Sequence, residues 1–218
     1  MAMEHALAAF ATLFAVLDPV GTTSLFIALT AAHDGAGRLR VAALGTGVAF
    51  AVLLLFALAG EAVLAFVGIS LPAFRIAGGI LLFLTALDML FERRTARRER
   101  KVEEERESQA AAEAPDDPSV FPLAIPLIAG PGAIAAMILL MGAAAGDMER
   151  QGIVLGTMAG VLLLQFGMFL LGGPIGRVLG RTGMLVVTRL MGMLLAALAV
   201  QFVIDGIAAV IRGMGAGA

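Results

Sequence analysis

The stretch Pro122–Met141 reads PLAIPLIAGPGAIAAMILLM, and it decides how we expect this chain to fold. It is long and apolar enough to cross a bilayer, because about 20 helical residues span ~30 Å of hydrocarbon. Pro126 and Pro131 lie inside the run, and each removes a backbone donor and crowds the carbonyl four residues earlier. A broken membrane helix is tolerated where it is buried in protein or lines a wet cavity. The break therefore indicates either a simple proline kink or part of a transporter binding site.

The composition excludes a soluble domain and most enzyme classes. Of the 218 residues, 60% are hydrophobic and 15% are charged, and the mean hydropathy is +0.98. There is no cysteine for thiol chemistry, and the two histidines, His5 and His33, are too isolated for a zinc site. Phosphate-binding and hydrolase motifs are also absent from the sequence. We therefore predict no enzyme activity, no metal, no cofactor and no nucleic-acid partner.

Apolar runs of transmembrane length predict an all-α, polytopic membrane protein with six transmembrane helices. Barrel strands would be about half as long and would alternate in polarity. Ala31–Arg40 is expected to be a short polar turn. The predicted spans are His5–Thr30 (broken at Asp18-Pro19), Val41–Val67, Ser70–Phe91, Val120–Ala144, Gly152–Leu171 and Leu185–Ile211.

Basic residues predict the orientation of these spans. The connections after the first, third and fifth spans carry most of the arginine and lysine: Arg38, Arg40, Arg93, Arg94, Arg97, Arg98, Arg100, Lys101, Arg106, Arg177 and Arg181. The positive-inside rule then places the 92–118 loop in the cytoplasm and both termini outside. This loop is basic in its first half and acidic in its second. A solvated extension with a disordered linker is favoured there over a contact with anionic lipid.

The two halves of the chain look like repeats, residues 1–91 and 119–218, on either side of the 92–118 loop. The first span of each half is broken before a proline, and the third begins with an arginine and a glycine three residues later. These pairs are Arg75 with Gly78 and Arg189 with Gly192. Three spans in each half give the halves opposite orientations. The pattern predicts two inverted three-helix repeats with discontinuous first and fourth helices, as in many secondary transporters.

The two breaks together suggest a binding site. Asp18-Pro19 resembles a helix start, with a capping carboxylate followed by proline at the first helical position. Gly130-Pro131 repeats this with a weaker cap. In inverted halves the amino ends of both half-helices meet near the membrane middle, where their N–H groups favour an anion such as a carboxylate. The predicted substrate-binding residues are Asp18, Pro19, Gly21, Thr22, Thr23, Gly130, Pro131, Gly132 and Gln201.

Asp18 has several candidate roles, because an ionisable group inside a membrane is costly and is a functional hypothesis by default. It could pair with a substrate ammonium group, carry a coupling proton, or only cap the restarted helix. Gln165 and Gln201 lie within spans, and each could join helices or contact a solute. The remaining charges near span ends are expected to pair or to reach the interface: Arg75, Asp88, Arg189, Asp205 and Glu61.

Glycines four residues apart favour close helix packing in membranes. Such pairs occur at Gly142/Gly146, Gly156/Gly160 and Gly172/Gly176. In so glycine-rich a chain they do not single out one interface, and a homo-oligomer is left open.

Several motifs resemble the MarC family of bacterial and archaeal inner-membrane proteins. Pro122–Gly132 is close to the most specific family motif, PLAxPxxAGPG, and the resemblance covers the chain except for the 92–118 loop. Two departures stand out: Asp18 where the family usually has asparagine, and Ser24 where many members have proline. The other matching segments are Asp18–Phe26 (DPVGTTSLF), Leu71–Gly79 (LPAFRIAGG), Asp88–Phe91, Arg189–Gly192 and Val200–Phe202.

The resemblance implies a transporter of small neutral amino acids in the bacterial or archaeal plasma membrane, with an architecture similar to that of the LysE exporter superfamily. We accordingly expect a secondary transporter of a small zwitterionic solute, with proton coupling through Asp18 left open. The alternative is a non-transporting membrane scaffold that recruits a cytoplasmic partner through the charged loop. Deleting Thr95–Pro115 would separate the two, because a scaffold needs that loop and a transporter does not.

Overall fold

The structure is a computed structural model that describes residues 2–91 and 119–215. It confirms the all-α fold, and the predicted cytoplasmic loop 92–118 lies outside the described residues. The helices are α1 (Ala2–Leu17), α2 (Pro19–Leu29), α3 (Gly35–Val67), α4 (Leu71–Leu90), α5 (Ser119–Ile128), α6 (Pro131–Ala143), α7 (Met148–Leu170) and α8 (Gly172–Gly215).

The helices have the length and composition of membrane spans. Five are long and apolar enough among the described residues: α1 with α2 (Ala2–Leu29), α3, α4, α7, and Thr182–Met214 within α8. The shorter α5 and α6 together cover the predicted fourth span. Large apolar side chains such as Phe66, which is 92% exposed, face outward from the bundle. A helical bundle with such a surface is a polytopic membrane protein, as the sequence predicts.

The first turns of α3 replace a predicted loop. The sequence predicts a polar turn over Ala31–Arg40, but α3 already begins at Gly35. The reason is Asp34, whose Oδ1 accepts a hydrogen bond from the Gly37 N–H at 2.7 Å and caps the helix. Arg38 therefore lies on the first turns of α3. At ~1.5 Å per residue, this helix of 33 residues is longer than the ~30 Å hydrocarbon layer.

The fourth span is broken where the sequence predicts, but its first half is wound differently. The segment α5 is a π-helix, and the Ala129 N–H donates to the Ala124 carbonyl, five residues earlier, at 2.8 Å. Since proline at position 126 has no N–H to donate, a wider winding reroutes the backbone bonds around it. The chain then extends at Gly130 (φ −75°, ψ 169°) and restarts as α6 with Pro131 in its first turn.

The last helix, α8, contains a break at Gly180. Its backbone has φ 60° and ψ 176°, a conformation that is open almost exclusively to glycine. Thr182–Met214 follows as the apolar part, which includes the predicted sixth span.

Glycines allow α4 and α8 to pack closely. A Cβ on Gly79 would lie 2.8 Å from the carbonyl oxygen of Ala199, and one on Gly192 would lie 3.0 Å from the Cβ of Met89. The contact at Gly79 of α4 is with Ala199 of α8, and the contact at Met89 of α4 is with Gly192 of α8. Residue numbers thus increase along α4 while they decrease along α8, so the two helices are antiparallel. The arrangement is also reciprocal, because a glycine near the start of each span touches the later half of the other.

The first and fifth spans run in the same direction. Gln165 of α7 hydrogen-bonds Thr22 of α2, and four residues further on Phe169 stacks on Phe26 with ring centroids 4.4 Å apart. Between these two contacts the residue numbers increase along both α2 and α7, so the two helices are parallel. A chain that crosses a membrane six times requires this relation between its first and fifth spans, and the antiparallel one between its third and sixth.

The close approach of α4 and α8 predicts the effect of adding one methyl group. Replacing Gly79→Ala overpacks this interface and should lower stability by about 1–3 kcal/mol. Gly156→Ala is the matched control, because an added Cβ there meets nothing within 4 Å. Thermal unfolding of the purified protein in detergent should show a lower midpoint for Gly79→Ala alone. Equal midpoints for the two variants would contradict this packing.

Candidate functional site

The first span bends at a single residue, Asp18. Among the described residues it is the only non-glycine with a positive φ (φ 52°, ψ 61°). Aspartate and asparagine adopt this left-handed conformation more readily than other non-glycine residues. The Asp18 N–H still donates to the Phe14 carbonyl at 3.0 Å, and the Asp18 carbonyl accepts from the Thr22 N–H at 2.9 Å. Helical hydrogen bonding therefore continues on both sides of the bend.

The Asp18 carboxylate caps the restarted helix α2. Its Oδ1 accepts a hydrogen bond from the Gly21 N–H at 3.0 Å, and the residue is 4% exposed. Pro19 follows in the first turn, so the predicted helix start is found. A Cβ on Gly21 would lie 2.8 Å from the Asp18 Cγ, so glycine is needed there to leave room for the carboxylate. The left-handed backbone of the cap is a feature that the sequence analysis missed.

The hydroxyl groups of Thr22 and Thr23 are bonded to this same turn. Both residues are completely buried. Thr22 Oγ1 donates to the Asp18 carbonyl at 2.7 Å, and Thr23 Oγ1 donates to the Pro19 carbonyl at 2.6 Å. Such bonds to the carbonyl four residues earlier often accompany helix bending. These hydroxyl protons therefore serve the backbone, and only the oxygen lone pairs remain to accept a further bond.

Gln165 reaches this cluster from α7 and is fully buried. Its Nε2 donates to Thr22 Oγ1 at 2.9 Å. Its Oε1 has no hydrogen-bond partner, and among the buried side-chain nitrogen and oxygen atoms of the described residues only Thr46 Oγ1 shares this condition. An unpaired buried acceptor costs about 1–3 kcal/mol, so a ligand N–H or ammonium group would relieve it. Sequence reasoning left Gln165 open between joining helices and contacting a solute, and did not include it in the predicted site.

The break in the fourth span lies beside the one in the first. A Cβ on Gly132 would lie 3.7 Å from the Cγ1 of Val16, two residues before Asp18, and 3.5 Å from the Thr85 hydroxyl of α4. The starts of α2 and α6 are thus at similar depth and adjacent. Unlike Asp18, Gly130 provides no side-chain cap, so that the first N–H groups of α6 have no partner of this kind.

The other predicted residues around this second break differ in burial. Gly132 is buried, Gly130 is intermediate and Pro131 is exposed. In the first break, Asp18 is the only ionisable residue classed as buried in the described part of the chain. The same part contains no group of three histidine, aspartate or glutamate residues that could hold a metal ion.

Gln201 lies away from this cluster. It is exposed, and its Nε2 donates to Asp205 Oδ1 on the same helix at 2.8 Å. It lines a separate cavity together with Ala9 of α1. Nine helical residues separate Ala9 from Asp18, which corresponds to ~14 Å along the axis. The structure therefore places the second break next to the first through Gly132 and Val16, adds Gln165 beside Thr22, and leaves Gln201 elsewhere.

A membrane bundle whose first and fourth spans are both broken, with the breaks side by side, defines a polytopic membrane protein with discontinuous helices. Comparison with known families makes this more specific. The pattern of the MarC family integral membrane proteins matches residues 3–211, and the chain belongs to this family.

Relatives of similar length occur in archaea and bacteria. A UPF0056 membrane protein of Methanocaldococcus jannaschii is 38% identical over 95% of this chain and 98% of its own length. UPF0056 membrane protein YvbG of Bacillus subtilis is 35% identical, covering 91% and 92%. UPF0056 membrane protein YhcE of Escherichia coli is 34% identical, covering 94% and 93%. These names describe membrane proteins and give no substrate. No solved structure gives a significant match.

The left-handed cap predicts different results for two substitutions of the same residue. Asp18→Asn keeps a capping oxygen and a side chain suited to this backbone, so stability should change by less than about 0.5 kcal/mol. Asp18→Ala loses the cap, at ~0.5–2 kcal/mol, and leaves a left-handed alanine, at ~1–2 kcal/mol. Thermal unfolding in detergent should rank Asp18→Asn near the parent and Asp18→Ala clearly below it. A large loss for Asp18→Asn would show that the charge itself holds the bend.

Proposed function

We propose that this protein is a secondary transporter of small zwitterions, such as small neutral amino acids, in the plasma membrane of a bacterium or archaeon. The observation that carries the proposal is the position of Gln165 Oε1, a buried acceptor without a partner on the amide that bonds Thr22 beside the first helix break. A buried polar atom left unpaired in this way is a natural contact for a substrate donor.

The carboxylate of the substrate would bind at the start of α6. The start of α2 already has an anion, because the Asp18 carboxylate accepts the Gly21 N–H. The start of α6 has no side-chain cap, and Gly132 leaves its backbone open to close approach. Free N–H groups and the positive end of the helix dipole favour an anion there. The two helix starts thus have different roles, and only α6 binds the substrate anion.

The ammonium group would face acceptors on the opposite side. Asp18 provides a carboxylate, and Gln165 provides an amide oxygen without a partner. An ammonium group has three donors and no acceptor, so a site with two such acceptors suits it. The side chain of the substrate has to be small, because Val16 and Thr85 lie within 3.7 Å of the position that a Cβ on Gly132 would occupy.

Alternating access would follow from the two inverted repeats. The reciprocal glycine contacts between α4 and α8, and the antiparallel course of these helices, support such a repeat. In proteins of this architecture, one repeat rocks against the other around a site near mid-membrane. The arginine-rich connections support an orientation with both termini outside and the 92–118 loop in the cytoplasm.

Uptake into liposomes tests the proposal directly. Purified protein reconstituted in liposomes should accumulate at least one labelled small amino acid from a panel that includes glycine, alanine and serine. If Asp18 carries a coupling proton, an imposed pH gradient should change the uptake rate, and Asp18→Asn should abolish this response while it still exchanges substrate. Asp18→Asn tests the proton alone, because it keeps the cap and removes only the titratable group.

Deletion of the loop separates the transport proposal from the scaffold alternative. For a transporter, deletion of Thr95–Pro115 should leave uptake within about twofold of the parent, a difference of ~0.4 kcal/mol, whereas a scaffold would show no uptake and would lose its function with the loop. No uptake or exchange of any amino acid across the panel, with protein that is monodisperse and correctly inserted, would overturn the proposal.

The role of Gln165 can be tested separately from folding. Gln165→Leu removes the acceptor proposed for the ammonium group, and a hydrogen bond to a charged group is worth ~1.5–3 kcal/mol. The KM for uptake should rise about 10- to 100-fold, with the unfolding midpoint close to that of the parent. Leu164→Met, one residue away and exposed, serves as the control and should leave the KM unchanged. An unaltered KM in Gln165→Leu would exclude a substrate contact.

A further inference from the structure

A cavity lies near one end of the bundle, apart from the helix breaks. Its volume is about 240 Å³. Residues near the start of α1, the end of α6 and the start of α7, together with residues from α8, line it. Its walls are mostly apolar, and four polar side chains line them: His5, Arg150, Gln201 and Asp205.

The polar side chains of this cavity carry both signs of charge. Arg150 pairs through Nε with Asp147 Oδ2 at 2.9 Å, which uses one of the five N–H donors of the guanidinium group. Asp205 accepts one hydrogen bond from Gln201 through Oδ1, and a carboxylate can accept about four. A guanidinium group and a carboxylate in one small apolar cavity match the two charged ends of a zwitterion.

Two buried helix faces, one on α7 and one on α1, lie between the cavity and the helix breaks. We call Asp18, Thr22, Thr23 and Gln165 at the first break the inner cluster. On α7, Val154 lines the cavity and Gln165 belongs to the inner cluster, and the two lie ~16 Å apart along the helix at ~1.5 Å per residue. Met158 lies between them on the buried face of this helix and is 0% exposed. On α1, Leu13 occupies the corresponding place between Ala9 and Asp18, and it is also 0% exposed. A layer of apolar side chains therefore separates the cavity from the inner cluster.

We infer that this cavity is an outer binding site for the same zwitterion, on the side that the sequence predicts to be extracytoplasmic. The inference rests on the proposed transport function. The carboxylate of the solute contacts Arg150, and its ammonium group contacts Asp205. Passage to the inner cluster then requires the layer that contains Leu13 and Met158 to open. This gives Gln201 a role near the solute, although it lies far from the helix breaks.

The absence of cysteine from the sequence allows a direct test. Gln201→Cys places a single thiol at the cavity, and Met148→Cys places one outside its lining, at an exposed position (82%) near the start of α7. A charged, membrane-impermeant thiol reagent is added outside liposomes that contain the protein. Modification of Gln201→Cys should lower uptake of labelled alanine about tenfold, whereas modification of Met148→Cys should change it less than twofold. Unlabelled alanine should slow the modification of Gln201→Cys only.

Two charge substitutions give an independent measurement. Arg150→Gln should raise the KM for alanine uptake about tenfold, with no change in the unfolding midpoint. Arg212→Gln is the matched control, because Arg212 is an exposed arginine in the last turn of α8 that does not line the cavity.

The outcomes separate this inference from the proposed function. If Met148→Cys protein transports alanine but Gln201→Cys is not modified, not protected, or fully active after modification, the outer site is wrong and the transport function stands. If neither the parent nor either variant binds or transports any amino acid of the panel, the proposed function and the outer site fail together.

Discussion

The fold of the first half depends on one hydrogen bond, from the Gly21 N–H to the Asp18 carboxylate. Inside a membrane there is no water to satisfy a broken helix, so the chain itself must supply partners at the break. Asp18 does this with its own side chain, and its left-handed backbone keeps the α1 hydrogen bonds in place on one side and those of α2 on the other. This bond therefore stabilises a sharp bend inside the membrane.

The bend also fixes how α7 meets the first span. Thr22 turns its hydroxyl proton toward the Asp18 carbonyl, which leaves its oxygen to accept from Gln165. One turn later, Phe26 stacks on Phe169. These two contacts set the register of α2 against α7, and they hold the Gln165 amide beside the bend. The Gln165 amide, with its unpaired Oε1, is therefore positioned by the same turn that Asp18 caps.

The two broken spans look equivalent in sequence but differ in chemistry. Asp18 neutralises the start of α2 with its own carboxylate, whereas Gly130 leaves the start of α6 without a side-chain cap. The sequence predicts one anion site where the two helix starts meet, and the two starts contribute unequally to it. The zwitterion site that we propose rests on this difference between the two helix starts.

The sequence by itself determined the apolar spans, the two proline breaks and the cap at Asp18, because length, hydropathy and cap chemistry are local properties. The predicted repeat and orientation also come from the sequence. The tertiary structure decided that Gln165 joins the inner cluster, that Gln201 lines a cavity elsewhere, and that the backbone of Asp18 is left-handed. It also showed α5 as a π-helix and extended α3 back to Gly35. The physical reason is that lipid is as apolar as a protein core. Membrane helices are therefore hydrophobic on every face, and only packing reveals which of two similar glutamines points inward.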